Sequence, residues 1–118
     1  MENKKVAVVI RYSPLGSVRS AEALRMSVGL TLADNDITVL LVDDAAWLTT
    51  ALSPERIGGG DIKKPIDTLH LLKAPIWVEK ESLASRGIAD DEVSAGVEIV
   101  SASAIARYIA TAQATVVF

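Results

Sequence analysis

Five short apolar-rich runs dominate this chain: Val6–Ile10, Ile37–Val42, Ile76–Val78, Val97–Val100 and Thr115–Phe118. Val6–Ile10 is unbroken and rich in β-branched residues, the pattern of a strand buried on both faces. Between the runs lie stretches with helical periodicity. Strands alternating with helices predict a parallel sheet carrying helices on both faces through right-handed crossovers. The expected fold class is therefore α/β: a three-layer α/β/α sandwich with a five-stranded, mainly parallel sheet.

The first predicted helix follows the turn Ser13-Pro14-Leu15-Gly16, is capped by Ser17 and runs to about Ala33. Its inward stripe reads Ala21, Leu24, Val28 and Leu32. A short helix is expected around Trp47, Leu48, Ala51 and Leu52. Ser53–Asp61, with Pro54 and Gly58-Gly59-Gly60, is the most loop-like segment and is expected to be mobile. Asp61 is placed to cap a third helix with Pro65 near its first turn and one face made by Ile62, Ile66, Leu69 and Leu72. After the Pro75–Val78 strand, Leu83 and Ala84 follow at helical spacing and Gly87 can take the left-handed conformation that ends a helix. Ile88–Gly96 reads as a polar loop. Ser101 or Ser103 starts the last helix, with the stripe Ile105, Tyr108, Ile109 and Ala112. No repeat, low-complexity tract or linker divides the chain, so residues 1–118 are expected to form a single domain.

Composition narrows the function classes. A net charge of −3 argues against nucleic acid, which requires a basic face. No stretch approaches the ~18 apolar residues of a membrane span, and the start of the chain lacks a secretory pattern. A cytoplasmic protein with neither nucleic-acid nor membrane partners is the resulting expectation. The chain contains no cysteine, which removes disulfides, thiolate metal sites and thiol nucleophiles together.

Ligands of open α/β sheets bind outside the carboxyl ends of the strands, so the candidate crevice is drawn there: Glu79, Lys80, Asp44 and Ser13. Glu79 stands where a strand hands over to a helix. It can hold a fixed charge, accept hydrogen bonds or act as a base. Asp43 and Asp44 end the second strand, where they can cap a helix or hold Mg²⁺ or a hydroxylated ligand. Pro14–Ser17 lacks both the dinucleotide and the P-loop patterns. His70, the single histidine, lies on the flank of an apolar stripe, and Asp90-Asp91-Glu92 does not match a Ca²⁺ loop. No residue order resembles a catalytic triad. Neither a metal nor a cofactor is expected.

Several segments together resemble the DsrE/DsrF-like family, small α/β subunits of bacterial and archaeal sulfur-transfer complexes, in the style of its DsrF or TusC-type members. These are the Lys5–Ile10 strand and its turn, Leu40-Leu41-Val42-Asp43-Asp44, Ile76-Trp77-Val78 followed by Ser82-Leu83-x-x-Arg86-Gly87, Val97-Glu98-Ile99 and Val116-Val117-Phe118. The resemblance implies trimers, or hexamers built from them, with a cysteine-bearing relative as a second implied partner. An aliphatic excess in a small chain points the same way, with Trp47 and Trp77 as the large apolar groups expected near an interface. Sulfur carriers of the family place a cysteine at the end of the third strand, and the matching position here is Glu79. A persulfide carrier needs a thiolate. The expectation is thus a non-catalytic subunit of an oligomeric, sulfur-relay-related assembly. The alternative is a small-ligand-binding protein or enzyme using Glu79 at the strand-end crevice.

Overall fold

The computed structural model describes residues 4–12, 19–50 and 63–118. Strands β1 (Lys5–Ile10), β2 (Asp36–Leu41), β3 (Ile76–Glu79), β4 (Val97–Val100) and β5 (Ala114–Val117) form one sheet in the order β4-β3-β2-β1-β5. Every ladder is parallel. Helices α1 (Arg19–Leu32), α2 (Lys63–Leu71), α3 (Lys80–Ser85) and α4 (Ala102–Thr111) occupy the connections. The α/β/α layering and the five-stranded parallel sheet match the sequence expectation.

Strand alternation divides the core into two unequal halves. Val6, Val8, Ile10, Ile37, Val39, Leu41, Ile76 and Val78 face one side, where Ala21, Ala23 and Leu24 of α1, Leu69 of α2 and Leu83 of α3 complete the larger cluster. On the other side Ala7, Val9 and Leu40 meet α4 through Ile105, with Trp77, Tyr108, Ile109 and Ala112 packed around them. Among the described residues, three helices thus cover one face and a single helix the other. The α4 stripe is the one read from the sequence. Its N-cap is Ser101, whose hydroxyl accepts from the Ala104 N–H at 3.2 Å.

Two helical expectations need correction. In α1 the inward face is Ser20, Ala21, Ala23, Leu24 and Ser27, whereas Leu32 is 65% exposed. Small residues at this spacing bring the helix close to the sheet, and the Ser27 hydroxyl is satisfied by the Ala23 carbonyl at 2.9 Å. Ala21 and Leu24 are buried as read from the sequence, while the positions that reading missed, Ser20, Ala23 and Ser27, carry no long apolar side chain to signal burial. Of the helix expected around Trp47, the described part is a 3-10 segment, Asp43–Thr49, entered through Asp43 in a left-handed conformation (φ 52°), while Ala51 and Leu52 lie outside the described residues. The tighter winding buries Ala45, Ala46, Leu48 and Thr49. The polar loop before β4 contains one 3-10 turn, Asp90–Glu92, with the Glu92 carboxylate accepting from the Ala89 N–H at 3.0 Å.

Gly87 takes the left-handed conformation expected after α3 (φ 67°). Gly96 is more constrained. Its φ is 87°, and a Cβ there would lie 2.8 Å from the His70 imidazole. His70 therefore packs against the backbone entering β4, a structural position on α2. The Pro14–Gly16 turn, the Ser17 cap, the triple glycine and the Asp61 cap lie outside the described residues.

Candidate functional site at the carboxyl end of the sheet

Because β1, β2 and β3 are parallel neighbours, the residues that follow or end them converge at one edge. Arg11 follows β1, Asp43 and Asp44 follow β2, and Glu79 ends β3. Glu79 is the residue before the first turn of α3, yet its carboxylate caps no backbone N–H. It accepts instead from the Ser82 hydroxyl at 2.5 Å. Ser82 is buried, and its oxygen accepts in turn from the Asp43 N–H at 2.8 Å. One hydroxyl therefore links the end of β3 to the left-handed residue after β2, and the serine uses both its donor and an acceptor in doing so.

The acidic pair after β2 is matched by arginines. Asp44 Oδ1 accepts from Arg86 Nε at 3.0 Å and from Arg86 Nη2 at 2.9 Å. Arg86 also donates through Nη1 to the Ser85 hydroxyl at 2.9 Å and to the Ser82 carbonyl at 3.3 Å, which fixes the guanidinium over the end of α3. Asp43 Oδ2 lies 3.6 Å from Arg11 Nε in an exposed pair. Neither aspartate caps a helix: the residue preceding the 3-10 segment is Val42, and no side chain caps it. The physical reason is the left-handed turn at Asp43, which leaves the two carboxylates to the arginines that flank them.

Of the four predicted crevice residues, the structure ties Glu79 and the Asp43–Asp44 turn into one region through Ser82 and Arg86. Lys80 is exposed at the start of α3. Ser13 lies outside the described residues. Sequence reasoning missed the structural roles of Ser82, Arg86 and Glu81. The Glu81 carboxylate accepts from the Ala102 N–H at 3.0 and 3.2 Å and so serves the first turn of α4. Ser82 and Arg86 were visible in the segment Ser82-Leu83-x-x-Arg86-Gly87, but nothing in their spacing announces partners about forty residues earlier in the chain.

Chemically, this edge holds carboxylates paired with arginines and one buried serine whose hydroxyl is engaged on both sides. Among the described residues no group of three histidine, aspartate or glutamate side chains is placed to hold a metal ion. No helix among them is long and apolar enough to cross a membrane.

The architecture and this edge define a parallel α/β/α protein whose strand-end position at β3 carries a carboxylate in a chain without thiols. The chain belongs to the DsrE/DsrF-like family, whose model matches residues 4–118. It is similar to the intracellular sulfur oxidation protein DsrF of Allochromatium vinosum, with 29% identity over 92 residues that span 76% of this chain and 68% of that protein. Its fold is that of the ychN protein from E. coli, whose crystal structure superposes with a TM-score of 0.83 over 100% of both chains at 22% identity.

Proposed function

We propose that this chain is a non-catalytic DsrE/DsrF-like subunit with a structural or binding role in an oligomeric, sulfur-relay-related assembly of the cytoplasm, its 118 residues forming one domain of that family. The observation that carries the reading is the joint state of position 79. A family member with no cysteine anywhere presents Glu79 at the end of β3, and that carboxylate is committed to the Ser82 hydroxyl. A carrier of persulfide sulfur requires a thiolate at the point of attack. Glutamate provides none.

The partners of this reading are further copies of the chain, as a trimer or hexamer, and a cysteine-bearing relative. The sheet face covered, among the described residues, by α4 alone supports it, since Val117 on that face is 56% exposed and Thr115 beside the α4 layer is exposed as well. Trp77 belongs to the same face, half-buried against Tyr108. Trp47 packs instead against the larger core cluster. No geometric observation favours Glu79 as a general base.

Native mass spectrometry of the purified protein, alone and mixed with a cysteine-bearing family member from the same cell, tests the assembly. The expected masses are a trimer or larger, and a mixed species when the relative is added. A monomer that takes up no relative would overturn the reading. A second arm incubates the protein with a cysteine desulfurase and labelled cysteine. The expected result is no covalent sulfur on this chain, and a reductant-labile label on it would remove the non-catalytic assignment.

A further inference from the structure

Away from the strand-end edge, α1 and α2 leave a groove between them. It has a volume of about 440 Å³ and is lined by Arg25 and Val28 of α1 and by Lys64, Pro65 and Thr68 of α2. That volume is within the range of small-molecule sites. Two properties distinguish the groove from an ordinary gap between helices. Among the described residues, its charged lining is all of one sign, in a chain whose net charge is −3. Among the described residues the Arg25 and Lys64 side chains also have no hydrogen-bond or ion-pair partner, although Glu22 and Asp67 stand three residues away on the same helices.

The remaining lining is arranged around those two cations. Lys64 and Pro65 are the second and third of the described residues of α2. Pro65 is buried and Val28 is half-buried, giving an apolar floor. Thr68 stands one turn further along α2, its hydroxyl donating to the Lys64 carbonyl at 2.9 Å. A planar guanidinium and an ammonium lining one apolar-floored space match an oxyanion group joined to an apolar body.

We propose that the α1–α2 groove is a binding site for a small organic anion, a carboxylate or a phosphate ester, whose charged group meets Arg25 and Lys64 and whose apolar part lies on Val28 and Pro65. This site is independent of the strand-end edge and of the assembly reading, because it uses none of the residues that carry either.

The test is a backbone amide chemical-shift titration of the full-length protein in its native oligomeric state. The probes are phenyl phosphate, hexanoate, inorganic phosphate and uncharged 1-hexanol. Saturable shifts are expected at Val28, Lys64 and Thr68, with a dissociation constant below about 1 mM for phenyl phosphate or hexanoate. Whichever of these two binds more tightly identifies the oxyanion. The Ser82 and Asp44 amides should not move. Arg25→Gln and Lys64→Gln should each weaken binding at least tenfold. Both side chains are exposed, and unchanged spectra outside the groove verify that the variants fold. Inorganic phosphate or 1-hexanol binding as tightly as the organic anions would overturn the proposal, by removing the apolar or the ionic half of it. So would the absence of saturation, or affinities unchanged in both variants. The oligomeric mass, measured on the same samples, reports on the assembly reading separately.

Discussion

On β2, Leu40 and Leu41 are adjacent in sequence, point to opposite faces of the sheet and are both buried, yet the two faces are built differently. The Leu41 face is closed by α1, α2, α3 and the Asp43–Thr49 segment, which together exclude water from three neighbouring strands. Among the described residues, the Leu40 face is closed only at its centre. There Ile105, Tyr108 and Ile109 of α4 cover β1, β2 and Trp77, while Glu98 on one edge strand and Thr115 and Val117 on the other are exposed. A parallel sheet is ordinarily covered on both faces. The contrast therefore separates the half of the molecule that holds the fold from the half that has surface left for other contacts.

The largest expected effect lies on the closed face. Leu41→Ala removes a fully buried side chain from the larger cluster and should destabilise the protein by about 2–5 kcal/mol, the range for cavity-forming substitutions. Denaturant unfolding measures it, and a loss below about 1 kcal/mol would mean that this core is loosely packed. Next is Gly96→Ala, at the loop that brings β4 to the sheet edge. A left-handed backbone and the His70 ring both oppose a Cβ there, so a loss of about 1–3 kcal/mol is expected. Gly87→Ala has similar backbone strain but nothing within 4 Å of the new carbon, and should cost less than Gly96→Ala. Equal losses would show that the His70 contact relaxes freely.

On the half-open face the energies are smaller. Trp77 and Tyr108 meet edge to face, with centroids 5.2 Å apart and planes at 69°. A double-mutant cycle across them should give a coupling of about 0.5–1.5 kcal/mol. No measurable coupling would mean that α4 is held to the sheet by Ile105 rather than by the aromatic pair. At the strand-end edge, Asp44→Asn weakens a pair whose carboxylate is 63% exposed and should change stability by only about 0.2–1 kcal/mol. A larger loss in urea unfolding would give the Arg86 network more weight than its exposure allows.

This ordering also shows what could be read from the chain. An unbroken run such as Val6–Ile10 has one physical interpretation, a strand buried on both sides, and five apolar-rich runs separated by helices leave few topologies. The family segment Ser82-Leu83-x-x-Arg86-Gly87 was equally visible, but its meaning was not. Ser82 joins Glu79 to the Asp43 N–H, Arg86 holds Asp44, and Gly87 takes the left-handed turn. Two of those three roles depend on strands β2 and β3 lying side by side, which residue spacing within the segment does not encode. Burial in α1 was hidden for a different reason: Ser20, Ala23 and Ser27 are buried because they are small, and hydropathy gives weight to large side chains such as the exposed Leu32.

The smallest expected change in stability tests whether the open face is the surface used for association. Val117 lies on edge strand β5, paired in parallel only with β1 at Val9, and is 56% exposed. Its side chain contributes little to the core of one chain, so Val117→Lys should alter unfolding by no more than about 0.5 kcal/mol. Lysine on an edge strand is also a common natural barrier to strand association, because its charge resists burial between two sheets. If copies of the chain meet over this face, the ammonium must be desolvated at the contact, a large penalty for an unpaired charge. The expected outcome is a variant as stable to urea, at a concentration where both proteins are dissociated, as the parent, but with a lower mass by light scattering at micromolar concentration. An unchanged mass with unchanged stability would move association to the helical layer on the other side. The half-open face would then owe its exposure to the short edge strands alone.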